Sequence, residues 1–104
     1  MVSVMVDDPS TVPIEKEMSI SHGDFFRILP SAFDGETYRV DGNRVTVGTA
    51  DRRIEITLSE ETQRRIALLT LPVTHVRLDF IGYSADEAAA ALARFDRGFQ
   101  RGGG

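Results

Sequence analysis

Apolar side chains in this chain recur at two spacings, and the change from one to the other marks out its elements. Over residues 53–58 the alternation has no fault, with Ile54, Ile56 and Leu58 on one side and Arg53, Glu55 and Thr57 on the other. That is the period of a strand with one face in a core and one in water. Val76, Leu78 and Phe80 alternate with His75, Arg77 and Asp79 in the same way after Pro72, and Gly82 ends the strand they predict. Tyr38-Arg39-Val40 and Val45-Thr46-Val47 flank Asp41-Gly42-Asn43-Arg44, a hairpin signal because Asp-Gly tolerates positive φ at a tight turn. Gly48-Thr49-Ala50-Asp51 supplies the next reversal. Ile14, Met18 and Ile20 point one way and Glu15, Glu17 and Ser19 the other, with Lys16 interrupting, which predicts a first strand over 14–20.

The spacing becomes three-and-four at two places. Ser21 with Asp24 three positions on reads as a helix start, followed by Phe25, Ile28 and Leu29 with Phe26 beside them. Pro30 is expected to end that helix early, because an interior proline loses a hydrogen bond and clashes with the preceding turn. Ser31-Ala32-Phe33 then forms a further turn, and Asp34-Gly35 reverses the chain. Near the other end, Ser84 and Glu87 form a capping box. Ala88, Ala91, Leu92, Phe95 and Phe99 follow as the apolar stripe of a closing helix, with Leu92 and Phe95 at its centre.

Two stretches lack either rhythm. Ser59 with Glu60 and Glu61 reads as a cap and acidic first turn, giving a loop or helical turn over 59–64 and extended chain over 65–71, where Ile66, Leu68, Leu69 and Leu71 cluster. Residues 1–13 read as a flexible extension that ends in Pro9-Ser10-Thr11-Val12-Pro13, with an added edge strand as the alternative because Val2, Val4 and Val6 alternate.

This order predicts a single α+β domain over 14–101. An antiparallel sheet of four to five strands carries a short N-terminal helix and a longer C-terminal helix on one face, and 102–104 follow as a flexible glycine tail. A chain of 104 residues with 41% hydrophobic and 27% charged residues has the size and balance for one folded core. It has no cysteine, which excludes disulfides, thiolate metal sites and thiol catalysis and fits a reducing compartment. The apolar start reaches Asp7-Asp8-Pro9 without a basic region or cleavage site, so no signal peptide is expected. No stretch is long enough to span a membrane, and the expectation is a cytoplasmic protein with no membrane partner.

Charge is divided unevenly. Residues 1–63 carry a net −6 and residues 64–104 a net +2, and eleven of the twelve bases are arginine, the residue suited to bidentate carboxylate or phosphate pairing. Arg94, Arg97 and Arg101 recur at helical spacing on the outer side of the closing helix and form a candidate partner-binding ridge. Arg52-Arg53 and Arg64-Arg65, with His75 and Arg77, form a candidate anion-binding rim if the fold brings them to one edge. The overall charge is negative and the aromatics fall at core positions, which argues against nucleic acid.

Catalytic signals are sparse. His22-Gly23-Asp24 places an imidazole near a carboxylate at a helix start, and His75, Arg77 and Asp79 share a strand face. Neither set contains the third partner of a nucleophile or metal site, so no catalytic residue, metal or cofactor is assigned. Both histidines are expected to be dispensable for the fold.

Arg101-Gly102-Gly103-Gly104 resembles the glycine tail of ubiquitin-like and sulfur carriers. There a terminal Gly-Gly enters an activating enzyme and its carboxylate becomes an acyl-adenylate, thiocarboxylate or isopeptide. The resemblance covers four residues and implies carrier chemistry at the terminal carboxylate. The reading favoured by the whole chain is a small non-enzymatic interaction protein docking onto a larger protein. An anion- or RNA-binding module, a glycine-tail carrier and a small enzyme using His22 or the His75 face stand as alternatives.

Overall fold

The computed structural model describes residues 13–33 and 36–103, the last three by backbone alone. Residues 1–12, the Asp34-Gly35 reversal, the Arg101 side chain and Gly104 lie outside the described residues. The elements run β1 (Ile14–Met18), α1 (His22–Ala32), β2 (Tyr38–Asp41), β3 (Arg44–Gly48), β4 (Arg53–Leu58), β5 (Thr62–Ile66), β6 (Leu69–Ile81) and α2 (Ala85–Gly103). The fold is α+β, with every strand pair antiparallel in the order β1-β6-β4-β3-β2 and β5 paired to β6 alone.

The sheet has six strands where the sequence predicts four to five, and the difference lies at 59–71. In place of a loop or helical turn, β5 and the first residues of β6 form a hairpin closed by Ala67 and Leu68, with Ile66 opposite Leu69. Pro72 therefore lies inside a strand that begins at Leu69.

Even-numbered residues of β4 and β6 face the two helices. Ile54, Ile56, Leu58, Val76, Leu78 and Phe80 join Val45 and Val47 of β3 in one core with Phe25, Ile28, Leu29, Ala32 and Phe33, and with Ala91, Phe95 and Phe99. The aromatic centre is continuous: the Phe95 ring lies 4.6 Å from Phe99 and 6.0 Å from Phe33, and Phe25 stacks on Phe99 at 4.9 Å. Each fully buried side chain of this size contributes roughly 1.5–3 kcal/mol before entropy is counted.

Both helix starts are capped. The Ser21 hydroxyl accepts from the Asp24 N–H at 3.1 Å. At α2 the Glu87 N–H donates to Ser84 Oγ at 3.1 Å and the Ser84 N–H donates to Glu87 Oε1 at 2.9 Å.

Four details depart from expectation. Helix α1 runs through Pro30 to Ala32, because the proline sits in the last turn, where one lost bond is offset by burial of Ile28, Leu29 and Ala32. Leu92 is half-buried and packs at the margin of the core, and the line facing α1 is Ala91, Phe95, Gly98 and Phe99. Helix α2 continues as backbone to Gly103, into the glycine run expected as a tail. The β2–β3 turn also sits one residue later than the Asp-Gly signal implies. Asp41 pairs with Arg44 and Gly42 takes the first turn position with φ 62°, where a type II′ turn requires glycine.

Candidate functional site

Strand β6 is 13 residues long, and its two halves do different work. Residues 74–78 pair with β1 and residues 76–81 with β4, whereas residues 69–73 pair with β5. The hairpin of β5 and residues 69–73 therefore extends past the end of β1, whose last pairing is Met18 with Thr74. At about 3.3 Å per residue, the five steps from Thr74 to Leu69 give an arm roughly 17 Å long.

Strands β4 and β5 run along the same side of β6 with a break between them. Leu58 pairs with Val76 and Thr62 with Val73, so Ser59, Glu60 and Glu61 oppose only Thr74 and His75. One extra residue on one strand is a bulge, and it shifts the alternation by one position. Even-numbered residues face the helices in β4 but the opposite side in β5. Ile66 consequently joins Leu69, Leu71 and Val73 on the side of the sheet away from the helices. Val73 is buried, Leu71 half-buried, and the tip is open: Ile66 is 50%, Leu69 61% and Leu68 100% exposed. Ala67 adopts φ 54° at the first turn position, a conformation that costs a side-chain-bearing residue about 1–2 kcal/mol.

The base of the arm is fastened by side chains. Ser59 N–H donates to the His75 carbonyl and His75 N–H donates to Ser59 Oγ, each at 2.9 Å. His22 Nε2 lies 2.8 Å from the Ser59 carbonyl; a carbonyl only accepts, so this nitrogen carries the proton. The His22 backbone N–H donates to Glu61 Oε1 at 2.9 Å, and Thr74 Oγ1 donates to the Ile20 carbonyl at 2.8 Å. Arg64 pairs with Glu17. Because β5 and β1 flank β6, that pair bridges across the strand.

Of the four large apolar side chains that are exposed among the described residues, Ile66, Leu68 and Leu69 stand together at the end of this fastened arm, and Val40 stands apart on β2. Comparison with family models, with curated proteins and with solved structures finds no match to the chain.

The arginines named from the sequence are dispersed. Arg52 lies 4.1 Å over the Tyr83 ring and 3.8 Å from Glu87, locking the β3–β4 turn to the start of α2. Burial raises the Tyr83 phenol above its ordinary value, with the Arg52 charge acting in the opposite direction. The Ser84 N–H, helped by Arg52, holds the Glu87 carboxyl below its usual range. Arg53 pairs with Glu55 at 2.7 Å. Arg52 and Arg53 stand at one end of β4 and Arg64 and Arg65 beyond its other end, so the two pairs do not form one edge.

On the face away from the helices, Arg77 pairs with Asp79 at 3.1 Å, and that hydrogen bond raises its already high pKa. His75 lies two residues away, exposed, and borders a shallow depression with Glu15 and Arg77. On α2, Arg94 is drawn to Glu36 at 3.3 Å, while Arg97 is exposed and makes no ion pair among the described residues.

The His22–Asp24 pair is not formed. Asp24 faces Arg27 at 3.4 Å, and the imidazole is committed to the arm. Among the described residues, no group of three or more metal-ligating side chains converges, and no helix is long and apolar enough to cross a membrane.

Sequence reasoning noted the cluster Ile66, Leu68, Leu69 and Leu71 but gave it no role. The available signal was a dense apolar run without helical or strand alternation between two arginines and a proline.

Proposed function

We propose that this chain is a non-enzymatic interaction module that docks onto another protein chain, and that its working surface is the β5–β6 arm. The observation that carries this reading is Leu68: a fully exposed leucine at the turn of an arm, flanked by half-exposed Ile66 and Leu69. Scattered apolar residues on a surface need no explanation, but three adjacent large ones on a projecting element form a contiguous patch of the kind that contacts partners. Aliphatic anchors of this type contribute to binding by filling a desolvated pocket. The anchor is presented on strands with side-chain ties at its base, which lowers the ordering cost of association.

The basic ridge on α2 is a secondary surface in this reading. Arg97 is available there, Arg94 is held by Glu36, and exposed charges of this kind act on the rate of encounter more than on the lifetime of the complex.

A photo-crosslinking amino acid at position 68, introduced into the chain in intact cells, tests the proposal. A discrete protein adduct from position 68, absent when the probe sits at Thr46 on the sheet, is the expected result. Equal, diffuse labelling from both positions would remove the arm as the docking element.

A further inference from the structure

The two strands of the arm have unlike outer edges. At its base, Ser59 N–H donates to the His75 carbonyl and His75 N–H donates to Ser59 Oγ, so the backbone of His75 turns toward the β4–β5 side. Backbone direction alternates along a strand, and Leu69, Leu71 and Val73 therefore bond inward to Ile66, Arg64 and Thr62. The intervening pairs, Thr70 with Arg65 and Pro72 with Gln63, turn their backbone groups outward. Pro72 agrees with this phase, because it has no N–H to give to the ladder.

On the β6 edge little is left to pair. Pro72 offers no donor there, and its carbonyl already accepts from the Ser19 hydroxyl at 3.2 Å. Proline on an outer edge blocks the addition of another strand. The β5 edge has no such guard. All of Thr62–Ile66 is exposed, and the outward N–H and C=O groups of Gln63 and Arg65 have no partner among the described residues. They form two sets of donor and acceptor roughly 7 Å apart, the spacing that pairs with an extended chain.

Side chains decide which extended chain fits. Thr62, Arg64 and Ile66 lie on one side of β5, Gln63 and Arg65 on the other. Arg64 is held by Glu17, whereas Arg65 is exposed and has no ion pair among the described residues. Residues 62–71 contain no acid. An incoming strand thus meets an unpaired guanidinium on one side and Ile66 with the Leu68 tip on the other, which suits acidic and large apolar side chains in alternation. The same charges disfavour a second copy. Laying β5 beside β5 would set one Arg64-Arg65 pair against another with no acid between them, and like charges on neighbouring strands are destabilising.

We infer that the partner of the arm supplies an extended segment, alternately acidic and apolar, that adds to the free edge of β5. Its backbone pairs with Gln63 and Arg65, and one of its acids meets the Arg65 guanidinium. This rests on the reading of the arm as a docking element and specifies how the contact is made.

Hydrogen exchange of the isolated full chain tests the edge. The Gln63 and Arg65 amides should exchange faster than those of Arg64 and Leu71, which bond across the arm. Equal rates at all four, fast or slow, overturn the inference.

The photo-crosslinker at position 68 tests the occupant in cells. Gln63→Pro removes an outward N–H without touching the β5–β6 ladder and should cut the yield of the protein adduct about tenfold or more, as should Arg65→Glu. Thr70→Pro makes the same backbone change on the opposite edge and should leave the yield unchanged, which separates loss of the edge from damage to the arm. Arg65 is exposed and unpaired, so Arg65→Glu should melt like the parent. Mass spectrometry of the adduct should place the crosslink beside a segment in which acidic and apolar residues alternate.

An adduct that survives both Gln63→Pro and Arg65→Glu, a crosslinked segment without acids, or an adduct to a second copy eliminates strand addition and leaves the docking reading standing. No discrete adduct from the parent chain eliminates both.

Discussion

Gly98 of α2 crosses α1 at Ala32 so closely that a β-carbon on the glycine would lie 2.6 Å from the Ala32 Cα and 2.9 Å from its nitrogen. The neighbour is backbone, which cannot swing aside as a side chain can. This crossing brings Phe95 and Phe99 down beside Phe25 and Phe33, and so sets the depth at which α2 sits on the sheet.

Gly98→Ala should therefore destabilise the protein even though alanine is the better helix former by about 1 kcal/mol. Overpacking a close crossing costs about 1–3 kcal/mol, and the net loss should appear as a lower urea midpoint with an unchanged slope. Ala32→Gly should not rescue it, because the clash is with the main chain. A Gly98→Ala variant as stable as the parent would show that the helices can part without cost.

Stability near the acid limit should depend on Glu87. Its folded-state pKa lies below its ordinary value of 4.5, chiefly through the Ser84 N–H and then through Arg52. A depressed carboxylate stabilises the fold fully above its unfolded-state pKa, and that contribution is lost as pH falls through the folded-state value. Glu87→Gln keeps a capping side chain but has no charge to lose. Its unfolding free energy should fall less steeply than the parent's as pH drops below about 4.5. Parallel curves in that window would mean that the carboxylate contributes nothing as an anion.

What the sequence disclosed was governed by distance along the chain. The Ser84–Glu87 cap and the Ser21–Asp24 cap are contacts between residues three apart, and the β4 alternation reports burial on one face directly. Strand β5 was not legible because hydrophobic periodicity reports burial, and all of Thr62–Ile66 is exposed. Its strand character comes from pairing with β6, and the bulge at 59–61 reverses the phase that a reader would carry forward from β4. The arginine sites were illegible for a different reason. Arg64 meets Glu17 47 residues away and Arg94 meets Glu36 58 away, so spacing that implies a basic ridge does not reveal which charges the fold has already paired. The contact of the His22 imidazole with the Ser59 carbonyl, 37 residues distant, is hidden in the same way.

The turn of the arm should tolerate, and profit from, glycine. Ala67 holds φ at 54°, and removing its methyl group relieves about 1–2 kcal/mol of backbone strain against a smaller gain in unfolded-chain entropy. Ala67→Gly should raise the hydrogen-exchange protection of the arm amides by about 2–5-fold, leaving β3 and β4 unchanged. Equal or lower protection would show that the strain is absent or that the arm's opening does not pass through its turn.

The same readout should move the other way for His22. The ring donates to the Ser59 carbonyl inside the bulge, and the residue's own N–H is held by Glu61 from the same segment; together they clamp the base of the arm to the start of α1. Of the two contacts, only the ring's is lost in His22→Ala. One hydrogen bond is worth about 0.5–1.5 kcal/mol net, so arm amides should exchange about 2–12-fold faster while Val45 and Ile56 in the core keep their protection. His22→Gln, whose amide N–H can reach toward the same carbonyl, should restore part of the loss. A uniform change across the whole sheet would mean that His22 supports the global fold. No change in the arm would mean that the bulge holds without the clamp, leaving the imidazole free for another role.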